Sequence, residues 1–199
     1  METSAEREQI QNVIRDKYRK AANSTEGLFK YATGPKGAQT LGYDSGVIAS
    51  APSRLLRSFC GVGNPFALGA IGEGEILLDV GCGAGFDLYV ASKLVGKTGR
   101  ALGVDLTPEM VSVATDNIAR SGLKNAEVRH GASEALPFEQ ESLDVVISNG
   151  VFNLSTQKRQ SFDEVFRVLK PEGRLQFADI ILDDDLPSDV VGGLEAWAN

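Results

Sequence analysis

An α/β fold on a parallel sheet is what this chain predicts, and three observations carry that prediction. Short apolar runs alternate with amphipathic stretches through most of its 199 residues, the pattern of repeated strand and helix units. One run, Ile76-Leu77-Leu78-Asp79-Val80, breaks at once into glycines at 81, 83 and 85. That sequence reads as a buried strand, a tight turn and a helix start whose backbone is bare enough for a ligand to approach. A later run closes on Asp105, so two carboxylates fall at the ends of two strands.

Size and composition suit one domain of ordinary size with a single core. The hydrophobic fraction is 42% and the charged fraction 24%, as in globular proteins generally. No apolar run has the length needed to span a bilayer. The start, METSAEREQIQNVIRDKYRK, is charged and amphipathic, unlike a secretory leader. Two cysteines, Cys60 and Cys82, cannot build a disulfide framework or a zinc site, so no metal is expected and a reducing, cytoplasmic setting is. A net charge of −7 argues against broad nucleic-acid binding, although a local basic patch could survive it, and for a small molecule as partner; with no spanning run, no membrane partner is expected.

In order, Ile10, Val13, Ile14, Tyr18 and Ala21 recur at helical spacing, giving one helix with an apolar stripe. Residues 23–50 are rich in glycine and small polar types, which predicts a long loop with at most a short helical turn. A short helix follows from Pro52 to Phe59, then a turn from Pro65 to Ile71. Residues 1–72 thus form a helical and loop segment, and residues 73–199 the core. The predicted strands are Ile76–Val80, Ala101–Asp105, Ala126–His130, Asp144–Ser148 and Arg174–Ile181. Helices are predicted at Phe86–Val95, Pro108–Ser121, with Thr107 as N-cap, and Thr156–Leu169, capped near Ser155 or Thr156.

In a doubly wound sheet the ligand lies beyond the carboxyl ends of the strands, beside the first one. Asp105 stands where a carboxylate can accept hydrogen bonds from a ribose diol; the alternative is an ordinary helix-start carboxylate. The glycine spacing is not that of a dinucleotide site, because the third glycine would fall at position 86, which is Phe86. A nucleotide-dependent oxidoreductase is therefore disfavoured.

The pattern DxGxGxG from Asp79 to Gly85, with Asp105 and the later Leu136-Pro137-Phe138, resembles the class I S-adenosylmethionine-dependent methyltransferases, a Rossmann-like family. The resemblance implies that Asp79, Gly81, Cys82, Gly83, Gly85, Asp105 and Leu106 bind the cofactor. S-adenosylmethionine carries an ammonium and a sulfonium, which a carboxylate such as Asp79 offsets. The loop from His130 to Phe138 matches the family's adenine loop, with Ala132 and Ser133 as backbone contacts. Many relatives have an acidic residue where Ala132 stands, so that contact passes to the backbone or to a neighbour. Asn149 and Gly150, at the end of the fourth strand, should border the methyl group. Tyr18, on an N-terminal helical lid, and Phe152 and Asn153 are candidates for closing over the substrate; each can equally be a packing anchor. His130 reads as a strand-end packing residue rather than a base.

The order GVDLTPEM, EALPF, ISNGVFNL and FRVLKPEGRLQFADI is most similar to the arsenite methyltransferase branch. That branch holds arsenite with cysteine thiolates, a soft-ligand chemistry. Here Gly150 and Val62 stand where two of those cysteines belong, with Cys60 displaced by two positions, and a third would fall just after Asn199. Cys82 reads as a small turn residue. The family's sheet has seven strands and this chain supplies five, so its C-terminal strands are expected to be missing and the fifth strand to be an apolar edge that invites a homodimer. The reading is methyl transfer from S-adenosylmethionine to a small acceptor. The alternatives are arsenite as acceptor, or a cofactor-binding protein or fragment without catalysis. No catalytic residue is identified.

Overall fold

The computed structural model describes residues 3–181 and residue 197. Among the described residues seven α-helices and five strands follow in the order α1 (Ser4–Ala21), α2 (Gly34–Thr40), α3 (Ser45–Ser50), α4 (Ser53–Arg57), β1 (Ile76–Val80), α5 (Phe86–Leu94), β2 (Arg100–Asp105), α6 (Pro108–Arg120), β3 (Ala126–His130), β4 (Leu143–Asn149), α7 (Lys158–Val168) and β5 (Leu169–Ala178). The strands form one sheet in the order β3-β2-β1-β4-β5, and every pairing is parallel. The chain therefore enters at the centre, winds outward to β3 and returns to β4 on the other side of β1. That reversal lies between β1 and β4, where doubly wound sheets open a ligand crevice.

Both faces of the sheet are covered, which is why its central strands are apolar at successive positions. Leu77, Val145 and Ile147 point into one core with Leu55, Leu88 and Val95. Their neighbours Leu78 and Val146 point into the other with Val165 and Val168 of α7. Alternate residues of one strand thus serve opposite layers. Among the described residues no helix is long and apolar enough to cross a membrane.

Four expectations need correction. Residues 23–50 are not one loop: α2 and α3 lie inside them. Proline in the first turn starts α2, and the Asp44 carboxylate accepts the Val47 amide at 3.0 Å to start α3. Both helices are under eight residues, too short for a periodic signal to stand out. Thr107 is the N-cap of α6, yet its side chain caps nothing; Asp105 Oδ1 accepts its amide at 2.9 Å instead. The N-cap of α7 is Gln157, and the Ser155 hydroxyl accepts the Gln157 amide at 3.1 Å from just outside the helix. β5 begins at Leu169 and ends at Ala178, with Leu143 opposite Leu169 but Val145 opposite Arg174. The segment Lys170-Pro171-Glu172-Gly173 bulges out between those pairs, as proline demands within a sheet, and Glu172 takes φ 66°.

Candidate functional site

The turn after β1 is built from main-chain bonds that only glycine permits. Gly81, Gly83 and Gly85 have φ of 74°, 51° and 93°, a region costly for any residue with a Cβ. The amides of Gly81 and Cys82 both donate to the Val104 carbonyl of β2, at 2.8 and 3.0 Å. The Asn117 amide of α6 donates to the Ala84 carbonyl at 2.9 Å. At Gly83 the space a Cβ would fill is open, so the chain leaves main chain facing a cavity rather than packed protein.

Asp105 holds this turn to β2. One carboxylate oxygen accepts the Gly83 amide at 2.9 Å and the other accepts the Thr107 amide. Each oxygen keeps a second acceptor direction, so the group can serve the turn and a ligand diol together. Burial pushes its carboxyl up, and the Thr107 and Gly83 amides oppose that shift.

Asp79 is 2% exposed, and its Oδ2 has no hydrogen-bond partner among the described residues. Burial first, then the charges of Asp87 and Asp105, drive its carboxyl well above the usual range. Asp87, in the first turn of α5, is buried too. Burial raises it to about 6, against hydrogen bonds from Asn149 and Tyr43. Three buried carboxylates gathered in one cleft are costly to ionise together unless a positive ligand enters.

All three line one cleft that opens to solvent. Tyr18 of α1, Cys60 and Gly61 line the cleft together with the glycine turn. Leu106, Gly131, Ser133 and Glu134 close one side, and Asn149 and Gly150 another. Ala132 is not in the lining; it forms an isolated bridge with Ala135. Glu134 is the acidic neighbour on that side, and its two oxygens accept the hydroxyls of Ser155 and Ser133 at 2.5 and 3.1 Å. Phe152 is 2% exposed and stacks against Phe162 and Phe177 at 4.7 and 5.5 Å, outside the lining. Asn153 is also outside it, with its amide donating to Asp179 at 3.0 Å. His130 lies at the end of β3 with its Nε2 3.0 Å from the Leu106 carbonyl.

Sequence reasoning missed Asp87, Tyr43 and Glu134. Asp87 follows the glycines directly, so a third acidic residue beside the motif was the available signal. Glu134 stands beside Ser133 in the loop already singled out, so that neighbourhood was its signal; Tyr43 gave none, because Asp87 and Asn149 lie far away in the chain. Cys60 and Cys82 both border the cleft. Burial drives the Cys60 thiol to about 12, with Asp105 and Asp87 adding to the rise, and raises Cys82 well above its ordinary value. Both are protonated at neutral pH, so neither is a ready thiolate.

A doubly wound parallel sheet with a glycine turn and paired strand-end carboxylates at its switch point defines a nucleotide-type cofactor-binding domain. The model of the methyltransferase domain matches residues 71–199, and the chain belongs to that family, among class I S-adenosylmethionine-dependent methyltransferases close to the arsenite branch. It is 38% identical over 197 residues to an arsenite methyltransferase of Halobacterium salinarum, covering 92% of this chain and 50% of that one. An arsenite methyltransferase of Aquipseudomonas alcaligenes is 40% identical over 155 residues, 69% of this chain and 44% of the relative. The solved arsenic(III) S-adenosylmethionine methyltransferase of Chlamydomonas reinhardtii superposes with a TM-score of 0.68 at 39% identity, over 74% of this chain and 52% of that one. The chain spans about half the length of these relatives.

The residues present fit the family's cofactor. The unpartnered Asp79 oxygen and the open face above Gly83 are a carboxylate lacking a cation and a cradle lacking a ligand. A nucleoside bearing positive charge supplies both, whereas dinucleotide phosphates would meet three carboxylates.

Proposed function

We propose that this chain forms the cofactor half of an enzyme that moves a methyl group from S-adenosylmethionine to a small-molecule acceptor. The observation that carries the reading is the buried Asp79 carboxylate, whose Oδ2 has no partner among the described residues, near the charge of Asp105. When bound, the cofactor supplies an activated methyl group on a sulfonium. Asp79 would offset positive charge at its amino-acid end, and Asp105 would accept from its ribose. Gly81, Gly83 and Gly85 let the main chain approach it, and Ser133 and Glu134 border the base. Tyr18 and the Cys60–Gly61 wall would exclude water and orient the acceptor. Alignment of this kind contributes on the order of 7 to 11 kcal/mol to such transfers. Asp87, the carboxylate raised to about 6, has both oxygens engaged by Tyr43 and Asn149. It is therefore not placed to take a proton from an acceptor.

The names of the relatives favour arsenite as acceptor, and the geometry argues against it. Val62 and Gly150, where the resemblance calls for cysteines, face one another: a Cβ built on Gly150 would lie 3.3 Å from two Val62 methyl carbons. The would-be thiolate pair is an apolar contact, so a small metabolite or thiol is the acceptor this reading favours. Calorimetric titration with S-adenosylhomocysteine and with NAD tests the cofactor, and saturable binding of NAD alone would overturn it. Labelled-methyl transfer over arsenite, thiols and small metabolites tests the acceptor, and absence of transfer to any of them would favour a binding protein without catalysis.

A further inference from the structure

The loop at residues 60–63, whose Cys60 and Gly61 line the cleft, belongs to no helix or strand, yet it is held by a polar cluster in which buried Tyr43 and Asp87 meet half-buried Asn149. Asn149 Oδ1, at the tip of β4, accepts the amides of Val62 and Gly63 at 2.8 and 3.0 Å. Its Nδ2 donates to the Gly63 carbonyl at 2.9 Å and lies 3.1 Å from the Tyr43 hydroxyl and 3.0 Å from Asp87 Oδ2. The Tyr43 hydroxyl in turn donates to Asp87 Oδ1 at 2.7 Å and lies 3.2 Å from the Gly63 carbonyl, so it also meets the loop directly.

These bonds have a direction. An ionised Asp87 can only accept, so Tyr43 must give it the hydroxyl proton and is left with a lone pair for Asn149. The Asn149 amide nitrogen then faces Asp87 and Tyr43, and its oxygen faces the two loop amides. Turned over, the same side chain would set its NH₂ against the Val62 and Gly63 N–H groups and leave buried donors unpaired. Asp87 therefore decides which way Asn149 points, and Asn149 decides where the loop sits.

We propose that Asp87 and Tyr43 are positioning residues which, through Asn149 and through Tyr43's own approach to Gly63, latch residues 60–63 and so hold Cys60 and Gly61 as the cavity wall that sets the room left for the acceptor. This rests on the reading that the cavity takes S-adenosylmethionine, and assigns the latch a task separate from the Asp79 and Asp105 cradle. Tyr43 is outside the cavity lining, so its hydroxyl can be removed without touching the ligand.

The test is Tyr43→Phe in the full chain. Iodoacetamide labelling of Cys60, read by peptide mass spectrometry, is expected to speed up at least tenfold while Cys82 labelling stays at its wild-type rate. Hydrogen exchange at the Val62 and Gly63 amides should accelerate at least tenfold, and calorimetric affinity for S-adenosylhomocysteine should stay within threefold. Asp87→Asn, which allows Asn149 to turn over, should loosen the same two amides. Wild-type rates at Cys60 and at both amides in Tyr43→Phe would overturn the proposal. So would a parallel rise at Cys60 and Cys82, the mark of general loosening, or a loss of ligand affinity in step with the loop. If Tyr43→Phe does not fold, exchange in the wild-type protein decides: strand-like protection of Val62 and Gly63 supports the latch, and peptide-like rates overturn it. If wild-type protein binds no S-adenosylhomocysteine, the cofactor reading fails, while the cysteine and exchange measurements still judge the latch.

Discussion

Asp105 and Gly83 are joined by a 2.9 Å hydrogen bond from the glycine amide to the carboxylate, and that bond ties the two halves of the cofactor cradle together. Asp105→Asn keeps the shape but halves the acceptor capacity and removes the charge. Hydrogen bonds to charged groups contribute about 1.5–3 kcal/mol each. Affinity for S-adenosylhomocysteine is therefore expected to fall at least tenfold by calorimetry, with the fold retained by circular dichroism. Unchanged affinity would remove Asp105 from the site.

Val62 and Gly150 offer a direct test of why this chain departs from the relatives. The Val62 Cβ lies 3.9 Å from where a Gly150 Cβ would stand, a separation at which two cysteine sulfurs can share a ligand or bond to each other. Val62→Cys with Gly150→Cys should create saturable arsenite binding under reducing conditions, where calorimetry of the wild-type protein is expected to detect none. Because Gly150 has φ 75°, the variant should also lose about 1–2 kcal/mol of stability in urea melts. Equal arsenite affinity in wild type and variant would mean that other groups hold the metalloid.

The edge of the sheet yields a third expectation. Among the described residues β5 has a strand on one side only, and Ile180 and Ile181 just beyond it are 50% and 82% exposed. An apolar edge of this kind pairs with another chain unless it is covered. Multi-angle light scattering at micromolar concentration should return a two-chain mass, and Ile180→Lys with Ile181→Lys should return one chain. A single-chain mass for the unaltered protein would dispose of edge pairing.

How much of this was legible in the sequence depended on how local the physics was. The strand at Ile76–Val80, its glycine turn and Asp105 were readable because each is written in a few adjacent residues. α2 and α3 were not, since two helices of 7 and 6 residues carry too few turns for periodicity. Asn149 was read as a residue bordering the methyl group, and it lines the cleft, but its side chain is engaged by partners the sequence could not announce. Tyr43 is 106 positions away from it and Asp87 is 62. Phe152 looked open to a substrate because its loop follows a strand end; the aromatic pair that buries it, Phe162 and Phe177, arrives from α7 and β5.

The last expectation follows from the carboxylates being raised rather than lowered. Asp87 titrates near 6 in the fold, Asp79 is also pushed up, and both start from 3.8 in the unfolded chain. Between 3.8 and about 6 the native state holds more protons than the unfolded one, so stability declines as pH rises through that window. Thermal melts of the unliganded protein should thus show a higher midpoint near pH 5.5 than at pH 8. Asp79→Asn removes one of the buried charges and should flatten that slope. It should also raise the pH 8 midpoint by about 3 °C, the equivalent of about 1 kcal/mol in a chain of this size. The same substitution should cost at least tenfold in S-adenosylhomocysteine affinity, because the ligand ammonium loses its counter-charge. A melt that instead improves toward pH 8, or an Asp79→Asn protein that is less stable there, would mean that Asp79 already has a partner and is not waiting for a cation.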